Sequence, residues 1–100
     1  MNVGKIYEIK RLFWFLYPSK EFAFMGARGP VRGTPPWRAL LEADHWSKQL
    51  NCNVSCISPN STFVLLEQDG ECCKILTDNG AIGWIYYVDW SKEHIRETKS

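Results

Sequence analysis

Apolar and polar residues alternate along much of this chain with the period of two that belongs to β-strands, and turn residues interrupt the alternation at short intervals. In the segment Lys5 to Tyr17, Ile6, Leu12, Trp14 and Leu16 fall on one parity and Tyr7, Ile9, Phe13, Phe15 and Tyr17 on the other. Its β-branched and aromatic residues predict one long strand, or two with a bend near Lys10-Arg11, ended by Pro18 and Ser19. Residues 26 to 37 are dense in Gly and Pro, which sustain neither a ladder nor a helix, so they read as a loop. Trp37, Leu40, Leu41 and Ala43 then recur at helical spacing, and Pro36 suits a first helical turn, so a short helix or turn is expected before Leu50.

Beyond Leu50 the signals sharpen. Strands are expected at Asn53 to Ile57, Thr62 to Glu67, Cys72 to Thr77 and Ala81 to Val88. Asp69-Gly70 and Asn79-Gly80 stand between apolar runs, a hairpin signal because these residues accept positive φ. The tail from Ser91 to Glu97 reads as a helical turn capped by Ser91. The expected fold is therefore all-β: a small barrel of five to six short antiparallel strands, a long loop or insertion at about 18–50, and a short C-terminal helical turn.

From Glu67 to Trp90 the order is strand, Asp-Gly turn, strand, Asn-Gly turn, then Gly80-x-x-Gly83-Trp84-Ile85. This resembles the C-terminal half of an SH3-like barrel, above all the bacterial SH3 domains with their Gly-x-x-Gly-Trp-Val signature, here in a stand-alone form similar to small phage proteins. The likeness covers roughly the last 40 residues, with Lys5 to Tyr17 as a first strand. The 33 residues from Pro18 to Leu50 would be an insertion where such barrels carry their largest loop. Proline-binding SH3 domains differ in what matters for ligands: where they hold a Trp-Trp pair, this chain has Cys72-Cys73, and the proline and tyrosine of their next strand are missing after Gly83-Trp84-Ile85. Docking of polyproline needs that aromatic groove, so it is not expected here.

The 100 residues amount to one domain, 1–100, able to bury a core without metal or disulfide. No apolar run reaches the roughly 18 residues of a membrane span. The charged start of the chain does not read as a signal peptide, so a cytoplasmic setting is expected. Cys52 and Cys56 form C-x3-C, with Cys72-Cys73 downstream. In an extended segment the first pair would stand about 13 Å apart at 3.3 Å per residue, and adjacent strand cysteines face opposite ways. A zinc site needs all its ligands converging at about 2.3 Å, so these read as reduced, buried small hydrophobes. His45 lies in Asp44-His45-Trp46-Ser47, but a catalytic triad is assembled in space rather than by adjacency. His94 and the carboxylates Glu67, Asp69 and Glu71 read as solvated. Two glycosylation sequons, at Asn53 and Asn60, carry no weight without an export signal. Neither enzyme activity nor a cofactor is expected.

Charge is unevenly distributed. Residues 1 to 38 carry seven basic side chains against two acidic, a balance of +5; residues 39 to 100 carry five against nine, a balance of −4. Such halves suit self-complementary packing or an anionic partner. Arg28, Arg32 and Arg38 with Trp37 are the residues a small nucleic-acid-binding barrel would use, pairing phosphates and stacking a base. The leading expectation is instead a non-enzymatic interaction module. It would contact a protein partner or a second copy through the aromatics Trp84, Tyr86, Tyr87 and Trp90 together with Trp37, because both faces of so aromatic a strand cannot be buried in a small barrel.

Overall fold

The computed structural model describes residues 2–10, 13–26, 36–87 and 94–98. The first expected strand divides in two: β1 at Ile6–Ile9 and β2 at Trp14–Leu16. Helices α1 at Lys20–Gly26 and α2 at Pro36–Leu50 follow, then β3 at Ser55–Ile57, β4 at Thr62–Asp69, β5 at Cys72–Thr77, β6 at Ile82–Tyr86 and β7 at Ile95–Glu97. Two ladders result, a five-stranded antiparallel sheet in the order β6-β5-β4-β1-β7 and a two-stranded sheet of β2 and β3. The molecule is mostly β, and no ladder joins the outermost strands into a closed barrel among the described residues.

The meander β4-β5-β6 forms where the Gly-containing turns stand. Gly70 and Gly80 both adopt positive φ, at 60° and 89°, a region in which a Cβ is penalised. The Asn79 turn is tightened by the Thr77 hydroxyl, which hydrogen-bonds the Asn79 side chain and accepts the Ala81 N–H at 3.0 Å. Strand β4 runs two residues further than the alternation predicts. It absorbs a bulge at Leu66, so that Leu65 opposes Ile75 while Glu67 opposes Lys74.

Two expectations are revised. Of the loop or insertion expected at about 18–50, the described residues hold two helices, α1 unforeseen and α2 longer than the short helix or turn expected before Leu50. Ser19 starts α1 by accepting the Phe22 N–H at its Oγ (3.3 Å), with Glu21 in the first turn, and α2 runs for 15 residues rather than a short turn. The tail does not form a helical turn over Ile95–Glu97. That stretch is strand β7, paired to β1 in the register Tyr7↔Glu97, Glu8↔Arg96, Ile9↔Ile95. Burying Ile95 against β1 outweighs the tail's local helical pattern, and Arg96 reaches Glu8 at 2.8 Å. Residues 91–93, including the expected cap Ser91, lie outside the described residues.

The two sheets meet at one bridge. Tyr17 donates its N–H to the Trp84 carbonyl (2.8 Å), and Trp84 donates to the Tyr17 carbonyl (2.7 Å). This sets β2 beside β6, so that the strands follow one another as β3-β2-β6-β5-β4-β1-β7 around a shared interior. That interior holds Tyr7, Ile9, Trp14, Leu16, Ile57, Phe63, Leu65, Cys73, Ile75, Ile85 and Ile95. A second cluster lies on the other face, where Phe15, Tyr17, Val54 and Cys72 meet Ala23 of α1 and Ala43 of α2. The helices thus cover part of the outer sheet surface and leave the rest bare. On the bare part, Ile6, Val64, Leu76 and Ile82 stand opposite one another in register across four strands. None of the four belongs to either core cluster.

Two mutations distinguish these faces. Ile75→Ala is expected to cost about 2–5 kcal/mol, the range for truncating a fully buried aliphatic side chain. Ile82→Thr, at a position 59% exposed, is expected to stay within about 0.5 kcal/mol. Urea denaturation of both variants reads the difference.

Candidate functional site

Helices α1 and α2 touch one another, and among the side chains they expose are five large apolar ones. On α2 the inward face is Ala43, Trp46, Ser47 and Leu50. Trp37, Leu40 and Leu41 recur at i, i+3 and i+4 in its first half and are exposed. Together with Phe24 and Met25 of α1, all five are more than 60% exposed. An aromatic side chain alone carries about 150–250 Å², so the five side chains together expose apolar area on the order of 500 Å². Further along α2 the same stripe turns polar, with an ion pair between Lys48 and Asp44 at 3.0 Å.

Beside α1 lies a cleft of about 500 Å³ lined by Lys20, Glu21, Phe24, Met25, Asp69 and Cys72. Phe24 and Met25 make its apolar walls, and Cys72 is buried within it, its Sγ 3.6 Å from the Lys20 carbonyl. At the rim, the Lys20 ammonium meets Asp69 at 2.7 Å. That hydrogen bond and charge hold the Lys20 pKa above its ordinary value. This contact joins the basic first half of the chain to the acidic second half, in keeping with their opposite charge.

The aromatics expected at the last hairpin strand are placed differently from those of the helices. Trp84 is half-buried in the outer cluster, opposite Lys74. Tyr86 is half-buried there too, and its hydroxyl donates to the Glu71 carboxylate, which raises the tyrosine pKa. Tyr87 stacks on Trp14 with centroids 6.4 Å apart. Trp90 lies outside the described residues, as do Arg28 and Arg32. Trp37 and Arg38 stand exposed side by side at the start of α2. The expected helix-spaced trio Trp37, Leu40 and Leu41 is therefore an outward stripe, and the sequence reading missed Phe24 and Met25 with α1 itself. The signal was present as Ser19 followed by Glu21, a cap and a first-turn acid.

Other candidate chemistry is occupied by structure. The Ser47 hydroxyl donates to the Ala43 carbonyl (2.8 Å) and accepts the Val54 N–H (2.9 Å), pinning the chain as it leaves α2. His45 is exposed with its ring edge-on to Trp46. The Lys10 N–H donates to the His94 carbonyl at 2.8 Å. All four cysteines are free thiols; Cys52, Cys56 and Cys72 lie in the outer cluster and Cys73 in the inner one. Among the described residues, no three His, Cys, Asp or Glu side chains are grouped to hold a metal ion. No described helix is long and apolar enough to cross a membrane.

No protein-family model, curated protein or solved structure matches the chain.

Burial pushes the Cys56 and Cys73 thiols up to about 11 from 9.0. A thiol whose folded pKa is raised stabilises the fold below its unfolded pKa, and that contribution is lost as pH rises through the folded value. Stability is therefore expected to fall between about pH 9 and pH 11, and Cys73→Ala to flatten that fall; thermal melts at pH 8 and pH 10 measure it.

Proposed function

We propose that this chain is a non-enzymatic SH3-like binding module that contacts a protein partner or a second copy of itself. The observation that carries the reading is the outward apolar face of α1 and α2. Five large apolar side chains on a small domain leave surface in water that association would remove, at about 25 cal/mol per Å² before the costs of binding. The SH3-like part of the reading is supported by strand order. The last strand, β7, pairs with the first, β1, and β1 pairs with the meander β4-β5-β6. Everything from β2 to β3 is inserted between β1 and β4, where barrels of this class carry their largest loop. Gly80 and Gly83 lend further support to this reading. Gly80 turns the chain at positive φ, and Gly83 lies against β2, where an added Cβ would sit 2.6 Å from Leu16 Cγ.

In this reading the binding surface belongs to the inserted helices rather than to Trp84, Tyr86 and Tyr87. Trp84 and Tyr86 contribute to the packed platform on which the helices rest, and Tyr87 packs on Trp14 of the inner cluster. The nucleic-acid alternative draws on Trp37 and Arg38, exposed together. On the same helix Leu40 and Leu41 are exposed and apolar, a setting that favours a protein surface over a phosphate backbone.

The test is Leu41→Asp, at a position outside both core clusters. The variant is expected to keep the melting temperature within a few degrees and to lose at least tenfold in association, whether read as self-association or as capture of a partner from the native host. Loss of fold would make this surface part of the core. Salt-sensitive binding of a labelled oligonucleotide that Arg38→Ala abolishes would move the reading to nucleic acid.

A further inference from the structure

We propose that the cleft between α1 and the β4-β5 hairpin takes a basic, apolar segment of a partner protein, with one large apolar side chain between its walls and a Lys or Arg beside it against the carboxylates of the rim. The inference rests on the binding-module reading, adds a site apart from the exposed start of α2, and names the partner's chemistry.

The cleft is formed by one stripe of α1 and one rung of the hairpin. Lys20, Glu21, Phe24 and Met25 line it at i, i+1, i+4 and i+5, positions that share one side of a helix. Phe22 and Ala23 seat the opposite side on the outer cluster. From the hairpin come Asp69 and Cys72, which pair directly across β4 and β5. The Cys72 thiol donates to the Lys20 carbonyl at 3.6 Å and fastens helix to strand at the base. Phe24 and Met25 stay 66% and 62% exposed on the walls of a cleft of about 500 Å³, a volume in the range of binding clefts. A flexible thioether beside an aromatic ring lets such a wall adapt to an inserted side chain.

The charge around this apolar space is one-sided. Glu21 and Asp69 line the cleft itself. Glu67 shares the Asp69 face of β4, since Glu67 opposes Lys74 and Asp69 opposes Cys72. The Glu71 carboxylate accepts the Tyr86 hydroxyl, and Tyr86 opposes Cys72 across β5 and β6, so Glu71 stands on that face too. Four carboxylates thus meet two ammonium groups, Lys20 and Lys74, and among the described residues the ion pair they form is that of Lys20 with Asp69. Glu21 is left without one. The field reaches the cleft, where Glu21 and Glu67 act on Lys20, and Asp69 and Glu71 on Cys72. A concave apolar wall beside excess negative charge attracts a cation that carries apolar surface.

The spread of the carboxylates selects a chain segment over a single amine. One ammonium ion in the cleft would meet Glu21 and leave Glu67 and Glu71, further along the hairpin, unanswered. A segment in extended form spaces its side chains at about 3.3 Å per residue. It can therefore set basic groups against several of these carboxylates while one apolar side chain covers Phe24 and Met25.

Selection of phage-displayed random nonapeptides on the full chain tests the proposal, followed by fluorescence anisotropy of a selected peptide with variants of the chain. Selected sequences are expected to carry Lys or Arg beside Phe, Leu, Met or Trp. Glu21→Lys and Phe24→Ser, both at exposed positions, should each weaken binding at least tenfold. Lys20→Gln should strengthen it several-fold by releasing Asp69, a gain that a merely structural ion pair would not give. Leu41→Asp should leave it unchanged, which separates this site from the α2 surface. Failure to select any peptide, or selection of peptides without basic residues, overturns the proposal and leaves the α2 surface to its own test. Binding that Leu41→Asp abolishes and Phe24→Ser does not overturns it as well, moving the contact to α2 with the binding-module reading intact. An arginine-glycine peptide that binds as tightly, with Phe24→Ser without effect, reduces the contact to charge attraction and overturns the cleft. Phenethylammonium that binds as tightly as the peptide, and is lost in Glu21→Lys, overturns the segment in favour of a small amine.

Discussion

The contact between β2 and β6 is the constraint on which the rest of the architecture depends. Two short hydrogen bonds join Tyr17 to Trp84, and they can form only because the neighbouring residue, Gly83, has no side chain. A Cβ there would stand 2.6 Å from Leu16 Cγ and 2.8 Å from the Tyr17 carbonyl oxygen. The backbone of β2 thus rests directly against β6, and both faces of β2 become interior. Trp14 and Leu16 enter the cluster enclosed by the sheets, while Phe15 and Tyr17 enter the cluster beneath the helices. That is why Phe13 to Tyr17 reads as an unbroken apolar run rather than a half-exposed alternation. This approach ties β2, and β3 beside it, to the five-stranded sheet, while α1 also packs directly on β5 and β6.

What could be read from the chain follows from how local its causes are. The meander β4-β5-β6 was legible because its turns carry their own instructions in Gly70 and Gly80, and its strands alternate between them. Strand β7 was not, since Ile95-Arg96-Glu97 has no strand signal of its own and becomes a strand only by pairing with β1, some 88 residues earlier for Arg96 and Glu8. Helix α1 is short and carries Phe22, Phe24 and Met25 close together, so no single face stands out in the sequence; Ala23, buried between Phe22 and Phe24, is what seats it. The division of Lys5 to Tyr17 near Lys10 was foreseeable from the polar residues at that point. Its consequence, that the two halves join different sheets, depends on packing and not on pattern.

The candidate surface moved for a related reason. A strand bearing Trp84, Tyr86 and Tyr87 must place aromatics on its outer face if it belongs to an uncovered small barrel. Here the inserted helices cover that face, so Trp84 and Tyr86 become packing residues and the exposure passes to the cover itself. An inserted layer exchanges one apolar surface for another: it buries the aromatics of β6 and turns Trp37, Leu40 and Leu41 outward. The cover is also partial. The aliphatic row of Ile6, Val64, Leu76 and Ile82 remains beyond its reach.

The adjacent cysteines show how closely the layers are fitted. Cys72 and Cys73 point to opposite sides of β5, and both are buried, one beneath α1 and the other in the enclosed core. On a sheet with one wet face, one of the pair would be exposed. Small, weakly polar side chains at both positions let α1 approach from one side and the curled sheet close from the other. Burial raises both thiol pKa values, with the carboxylates of Asp69 and Glu71 adding to the effect at Cys72. The adjacent pair is therefore given over to packing on both sides of β5.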